Sequence, residues 1–344
     1  MTYDELPDVV FETTAEPQDA MQINRELNLA RRIIEETGSN LFLTGKAGTG
    51  KTTFLRHLRY SARKRMIVLA PTGVAAINAG GMTIHSFFQL PFSPYIPGFG
   101  FPQETDRKKY QFSKEKRHVL NTLDLLVIDE VSMVRPDTLD AIDEIMRRYR
   151  DSSQPFGGVQ LLLIGDMRQL APIIPDAYRD MLQPHYRSPY FFESRALADA
   201  GYMTVELQTV YRQNDTEFVG MLNSIRDGRA THSVLEALNS RVASAKAAAA
   251  ADTTIRLTTH NRQADSINAS RMAALAGNIY SYTAKIEGKF PENSYPADLH
   301  LELKPKARVM FVKNDTGRDR RYYNGLTGTV VRLGNSAVSV QPDT

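Results

Sequence analysis

Apolar and polar positions along this chain switch between two periods, and the switches mark its elements. Residues 20–37 bring Leu27, Ile33 and Ile34 onto one helical face, with Gly38 as a stop. Residues 40–44 read as a short buried strand, followed by a glycine-rich turn and a helix over about 51–62. A second apolar run at 66–70 leads into a turn at Pro71, Thr72 and Gly73 and then a small helix. Further runs stand at 125–128 and 161–164. Runs that are apolar on both faces and alternate with helices predict an α/β fold whose parallel sheet is covered on both sides.

The helix over 136–149 starts with Pro136 in its first turn and buries Leu139, Ile142, Met146 and Tyr149. Asp143 with Arg147, and Glu144 with Arg148, form i,i+4 pairs on its wet face. Residues 91–113 break the pattern with four prolines among six aromatics, which reads as an insertion on the sheet. A second αβ series opens near Gly201, with strands at 203–207 and 255–259 and helices at 217–225 and 263–276. Between them, the alanine-rich residues 243–251 read as helix end or loop. From Ala307 short strands and turns at Asn324–Gly325 and Gly334–Asn335 announce a small β unit.

Composition narrows the picture. The 344 residues exceed what one hydrophobic core usually supports, so at least two domains are expected. There is no cysteine, which excludes disulfides and thiolate metal sites. No apolar run approaches the ~18 residues of a membrane span, and the N-terminus lacks a signal-peptide pattern. No membrane partner and a cytoplasmic location, nucleoid-associated in a bacterium, are therefore expected. Residues 1–20 hold six carboxylates and no Lys or Arg, so against a total of +3 the remainder carries +9. That start reads as a flexible acidic tail. A basic body fits a nucleic-acid partner and equally an ordinary solvated surface.

Residues 45–52 read GKAGTGKT, a full phosphate-binding loop pattern in its required strand-to-helix context. Gly45, Ala47, Gly48, Thr49 and Gly50 would let main-chain N–H groups cradle phosphates, helped by the helix N-terminus. Lys51 would reach the β and γ phosphates of ATP and Thr52 would ligate Mg²⁺, with Thr53 beside them. Residues 125–130 read LLVIDE: Asp129 is placed to hold Mg²⁺ and Glu130 to act as general base on the attacking water. Gln169, in GDMRQL, stands just past a strand end near the γ-phosphate edge, or else bonds locally in its loop. Arg212 follows the 203–207 strand and could stabilise a transferring phosphoryl group, although a single arginine is more often simply surface.

Taken in order, GKAGTGKT, APTGVAA (70–76), TIHSFF (83–88), LLVIDEVSM (125–133), PFGG-Q (155–160), IGDMRQL (164–170), VYRQ (210–213), THN (259–261) and NG-x-x-G (324–328) resemble the superfamily-one helicases of the Pif type, relatives of the RecD helicases. The match runs from about 24 to 332. The loop alone is generic; the 155–170 segment is far more specific. The resemblance implies a P-loop NTPase of two RecA-like parallel-sheet cores, with a small aromatic-rich insertion and a partial, SH3-like β insertion. It divides the chain into a tail (1–20), a first core (21–200, insertion about 91–113), an incomplete second core (201–300) and the start of a β subdomain (301–344).

It further implies an ATP-dependent motor moving 5′ to 3′ on single-stranded DNA and acting at duplex junctions, with a monomer expected. Gln169 and Arg212 would act on the γ-phosphate. Pro71, Thr72, Gly73, His85 and Ser86 would line the strand groove of the first core, and His260, Asn261 and Asn324 that of the second. His85 also reads as a satisfied buried histidine, and the insertion sits where the family has its strand-separating subdomain.

The family glutamine that reads adenine is missing between Gln22 and Asn40, and Asn28 could substitute for it. The Gln-Gly and Ser-Arg segments that close the family's second core are also missing, so a truncated chain is expected. The competing reading is a module that binds nucleotide and single-stranded DNA without unwinding. A P-loop nucleotide kinase would not need the His85 and Asn261 segments.

Overall fold

The structure, a computed structural model, describes residues 24–91, 93–101, 112–211, 216–240, 255–286, 297–312, 315, 321–323, 325–335 and 337–343. The acidic tail, residues 92 and 102–111 of the insertion, residues 243–251, Arg212 and Asn324 lie outside the described residues. The chain divides into two compact units, Met1–Val219 and Gly220–Thr344.

In the first unit, helix α1 (Arg25–Glu36) precedes strand β1 (Leu41–Gly45) and helix α2 (Lys51–Ser61). Then come β2 (Met66–Ala70), α3 (Gly73–Asn78), β3 (Met82–Thr83), α4 (Ile84–Phe88) and α5 (Lys114–Thr122). The unit continues through β4 (Leu125–Ile128), α6 (Pro136–Tyr149), β5 (Gln160–Gly165), α7 (Asp176–Leu182), α8 (Arg195–Ala200) and β6 (Met203–Leu207). The strands form one parallel sheet in the order β3-β2-β4-β5-β1-β6.

The period-2 geometry of a strand sends alternate side chains to opposite faces. Leu41, Leu43, Leu125, Val127, Leu162 and Ile164 meet α1 and α2 on one side. Phe42, Leu126, Ile128, Leu161 and Leu163 meet α4, α5, α6 and α8 on the other. Both faces are dry, as the uninterrupted apolar runs predict.

Helix α6 has the expected bounds, buries Leu139, Ile142 and Met146, and carries both expected pairs, Arg147–Asp143 at 2.8 Å and Arg148–Glu144 at 2.9 Å. Tyr149 is only partly buried, stacked beside Phe112. In the described part of the insertion, Tyr95 and Phe112 join the main core, whereas the Phe99 ring is 84% exposed. Tyr95 is fastened to α6 by its hydroxyl, which donates to Glu144 Oε2 at 2.6 Å.

One expectation is corrected. Residues 203–207 do not open a second series; they are the edge strand β6 of the first sheet, pairing Leu41 with Met203 through Gly45 with Leu207. Asn40 is the physical reason. Its side chain accepts from Leu161 N at 2.8 Å and donates to Gly201 O at 2.9 Å, while its carbonyl accepts from Met203 N at 2.8 Å. One asparagine thus aligns β5, β1 and β6, an arrangement that periodicity cannot reveal.

The PFGG-Q segment works at this same sheet edge. Gln160 Nε2 donates to Ser39 O at 2.7 Å and its Oε1 accepts from Lys64 Nζ at 2.6 Å. Phe156, buried in a left-handed conformation, donates its N–H to Asp143. The family-like segment therefore fastens α1, β1, β5 and α6 together at the edge opposite the strands' carboxyl ends.

In the second unit, α9 (Thr216–Arg226) leads in from the first, followed by α10 (His232–Asn239) and α11 (Asn261–Ala274). Strands β7 (Tyr280–Thr283) and β8 (His300–Leu303) form one antiparallel pair. Strands β9 (Arg308–Met310), β10 (Thr327–Leu333) and β11 (Val338–Pro342) form the expected small β unit. Residues 255–258, expected as a strand, have no sheet partner among the described residues, and Leu257 is 95% exposed. A strand is stabilised by its neighbours, and here the described residues supply none.

Candidate functional site

The chemistry-bearing segments follow the carboxyl ends of strands in one parallel sheet, where open α/β sheets bind ligands. The phosphate-loop pattern follows β1. Its turn is steep: Gly45, Gly48 and Gly50 have φ of 149°, 79° and 94°. A Cβ on Gly45 would stand 2.8 Å from both Leu207 O and Thr49 Oγ1, so only glycine fits against β6. Gly50 caps α2 without a side-chain hydrogen bond, which leaves the N–H groups of the first turn turned outward for an anion. Thr49 is fully buried and folds its hydroxyl back to Lys46 O at 2.9 Å. The Lys51 ammonium donates to Gly45 O at 2.6 Å and Lys46 O at 2.9 Å, which holds it at the base of the loop. Thr52 is half-buried in the first turn, while Ala47 and Thr53 are exposed.

Asp129 and Glu130 follow β4. Burial pushes the Asp129 carboxyl up to about 6, against a smaller downward pull from the Glu130 N–H and Lys51. The Glu130 N–H donates to Asp129 Oδ1 at 2.9 Å. Glu130 itself sits at φ 51°, a left-handed conformation that costs a non-glycine residue about 1–2 kcal/mol. Gln169 follows β5 in a turn closed by its N–H to Asp166 O at 2.9 Å. Glu130, Gln169 and Thr72, from three distant segments, line one cavity of about 250 Å³ together with Val74, Ala75, Asn78, Met133 and Leu170.

Among the described residues no group of three or more His, Asp or Glu gathers around a possible metal. A divalent ion here would take protein ligands from Thr52 and Asp129 alone and oxygens from phosphates, the manner usual for Mg²⁺. The buried carboxyl, raised by burial and only partly offset by Lys51, fits such an ion.

It also carries a cost. Folded Asp129 keeps its proton up to about pH 6, whereas the unfolded chain releases it near 3.8, so stability falls as pH rises between the two, and this group's contribution is fully lost above 6. At 1.36 kcal/mol per pH unit the loss is on the order of 3 kcal/mol. Asp129→Asn is expected to melt several degrees above the unmodified protein at pH 7.5 in metal-free buffer, with the gap closed at pH 4. Melting curves at both pH values check this; an equal gap at both would remove ionisation as its cause.

Thr72 caps α3, its hydroxyl accepting from Ala75 N at 3.2 Å, with Pro71 and Gly73 half-buried around it. His85 is half-buried on α4, after β3, and Ser86 is exposed. Burial holds the His85 imidazole below its ordinary range, and the Arg135 guanidinium adds to this against a smaller upward pull from Asp137, so it is neutral at neutral pH. In the second unit His260 occupies the cap position of α11 and Asn261 its first turn, both exposed.

Two contacts were not legible as site features. Tyr211 donates its N–H to Gly48 O at 2.8 Å, which docks the residue before Arg212 on the phosphate loop. Its hydroxyl accepts from Asn24 Nδ2 at 2.9 Å, and Asn24 Oδ1 caps α1. Asn24, the residue that caps α1, makes this tie; Asn28 lies one turn further on, half-buried. An asparagine at a helix start was the only available signal. Asn24→Ala, losing cap and tie, is expected to cost about 2 kcal/mol, and Tyr211→Phe about 1 kcal/mol. In urea titrations the double variant should be no less stable than Asn24→Ala, because the hydroxyl's partner is already gone.

Comparison with known proteins is consistent across sequence and structure. The family described as PIF1-like helicase matches residues 22–236. The ATP-dependent DNA helicase PIF1 of Saccharomyces cerevisiae is 32% identical over 320 residues, covering 87% of this chain. This chain spans only about a third of that relative, 34%. The Pif1 of Bdellovibrio bacteriovorus is 32% identical over 317 residues, 89% of this chain and 67% of its own length. A crystal structure of Bacteroides Pif1 bound to single-stranded DNA is 39% identical with a TM-score of 0.75, covering 93% of this chain and 71% of that one. The Bacteroides helicase in complex with ADP-AlF3 and single-stranded DNA is 37% identical with a TM-score of 0.74, covering 93% and 72%. Among the described residues no helix is long and apolar enough to cross a membrane.

Proposed function

This chain belongs to the PIF1-like helicase family, and from that premise we propose that it is an ATP-driven motor that moves 5′ to 3′ along single-stranded DNA and opens duplexes at junctions. The observation that carries this reading is the shared cavity: Glu130 and Gln169, suited to hydrolysis, stand on the same walls as Thr72 and α3, suited to gripping a strand.

Lys51 and the loop N–H groups bind the β and γ phosphates of ATP. Thr52 and Asp129 would hold Mg²⁺, which would supply neutralisation of phosphate charge. Glu130 orients the attacking water and takes its proton. Gln169 contacts the γ-phosphate and senses its departure, and Arg212, one residue beyond the Tyr211 anchor, stabilises charge on the transferring group. Pro71, Thr72, Gly73, His85 and Ser86 hold the strand through N–H and hydroxyl groups without reading its sequence, as do His260, Asn261 and Asn324 in the second unit. A neutral His85 can donate one hydrogen bond to a phosphate oxygen without adding charge.

Coupling follows from the common cavity. When the γ-phosphate leaves, Gln169 and Glu130 lose a partner, and the wall they share with α3 repacks, which alters the grip at Thr72. Opening one base-pair step costs about 1.4 kcal/mol on average, so a motor that blocks re-annealing need not exert much force. Such a motor works where DNA is, which supports a cytoplasmic, nucleoid-associated location in a bacterium.

Two assays test the proposal. ATP hydrolysis should rise several-fold when oligothymidine is added and stop when a chelator removes divalent metal. Duplexes with a 5′ single-stranded tail should be opened and those with a 3′ tail left intact. Hydrolysis indifferent to DNA would remove the motor reading, and equal opening of both substrates would remove its direction.

A further inference from the structure

From Thr37 to Gln103 the chain contains no Asp or Glu over 67 residues, yet it holds seven Lys and Arg. At its own average of 39 acidic residues in 344, a stretch of that length would hold about seven or eight, so the gap is not ordinary scatter. Five of the seven cations have a place. Lys46 and Lys51 belong to the phosphate loop. Arg59 donates to Ala79 O, Lys64 to Thr37 O and Gln160 Oε1, and Arg65 pairs with Asp124. Arg56 and Arg63 remain. Both are exposed, and neither has an ion pair or hydrogen bond among the described residues.

Arg56 shares one stripe of α2 with Thr53, His57 and Tyr60, the i, i+3, i+4, i+7 spacing of a single helix face. All four are exposed, and Tyr60 is 84% exposed, while the opposite face buries Phe54, Leu55 and Leu58. Among the described residues this stripe bonds only locally, its His57 ring to Ser61 Oγ at 3.3 Å, and packs against no other element. From the residues on it we propose that the outer face of α2, continued by Arg63, is a contact surface for the phosphate backbone of duplex DNA.

Three physical points support this choice of partner, which rests on the reading of the chain as a DNA motor. The stripe is about 10 Å long at 1.5 Å per residue, enough to reach more than one phosphate of a duplex strand, whose charges rise about 3.4 Å each along the duplex axis. Arginine, threonine, histidine and tyrosine all donate hydrogen bonds to phosphate oxygens. The face is the convex side of a helix, without the groove in which unstacked bases of a single strand are held. It also stands apart from the candidate strand track. Thr72 and His85 follow the carboxyl ends of β2 and β3, whereas α2 runs back from the phosphate loop toward the sheet edge where β2 begins at Met66.

The test compares the unmodified chain with Arg56→Ala/Arg63→Ala by fluorescence anisotropy, using a labelled blunt duplex and, separately, labelled oligothymidine across a salt series. The expected result is a duplex affinity about tenfold or more lower, and a log–log salt dependence shallower by about 2, one contact per arginine. Oligothymidine affinity and oligothymidine-stimulated ATP hydrolysis should stay within about twofold, and Arg56→Lys/Arg63→Lys should recover the salt slope. Unchanged duplex binding in the alanine variant overturns the proposal, as does a parallel loss of oligothymidine binding, which would put the face on the strand track. Unchanged duplex binding with faster proteolysis within residues 1–20 would assign the face to that acidic segment instead. Failure of the unmodified chain to bind oligothymidine or hydrolyse ATP would count against the motor reading itself, and is read separately from these.

Discussion

Glu130→Gln is expected to slow ATP hydrolysis by about 10²- to 10⁴-fold, the usual contribution of a positioned general base, while ATP and single-stranded DNA still bind. The substitution keeps size and shape, and the hydrogen bond that the Glu130 N–H makes to Asp129 Oδ1 uses main chain, not side chain. The residue's left-handed backbone remains equally strained in either protein. What disappears is the proton acceptor on the cavity wall shared with Gln169 and Thr72. Because binding groups stay intact, the variant should load nucleotide and strand together and stall there. Single-turnover hydrolysis with parallel measurement of nucleotide affinity reads both effects. A variant that hydrolyses ATP within a few-fold of the unmodified rate would show that another group takes the proton.

Lys51→Ala should go further, with hydrolysis falling by about 10²- to 10³-fold or more and ATP affinity falling with it. The fold keeps this ammonium at the base of the loop, between the carbonyls of Gly45 and Lys46. Its loss removes a charge that grips the phosphates before and during transfer. It also removes a counter-charge from Asp129, which burial already raises to about 6. The fold should survive, since the core beneath α2 is Phe54, Leu55 and Leu58, which the substitution leaves in place. Circular dichroism and melting establish folding, and calorimetric titration with ATP measures binding. Unchanged binding and turnover in a folded Lys51→Ala protein would remove the phosphate loop as the nucleotide site.

The two predictions differ in how they were legible. Lys51 belongs to a contiguous pattern whose spacing is itself the chemistry: glycines for the turn, lysine and threonine for the phosphates and metal. Glu130 reads as a base only because a strand ends there, and its convergence with Gln169 and Thr72 on one cavity spans about a hundred residues of chain. The Asn24–Tyr211 tie spans 187 positions and leaves no local trace. The 155–170 segment shows the opposite lesson. Its sequence is the most family-specific, yet Gln160 and Phe156 bond to Ser39, Lys64 and Asp143 at the sheet edge away from the chemistry. In its first half, residues 155–160, these side chains serve packing and hydrogen bonding, while Gln169 at its other end lines the cavity.

By itself, the sequence determined strands β1, β2, β4 and β5 and helices α1, α2, α3 and α6 of the first unit, the dryness of both sheet faces and the identity of the phosphate loop. These depend on the period of apolar residues and on local backbone permissions, which are properties of neighbours in the chain. Tertiary structure alone decided that residues 203–207 close the first sheet, that Asn40 aligns three strands, and that Asp129 is buried enough to resist ionisation. Each of these depends on which distant groups meet across hydrogen bonds or exclude water. No window of consecutive residues carries that information.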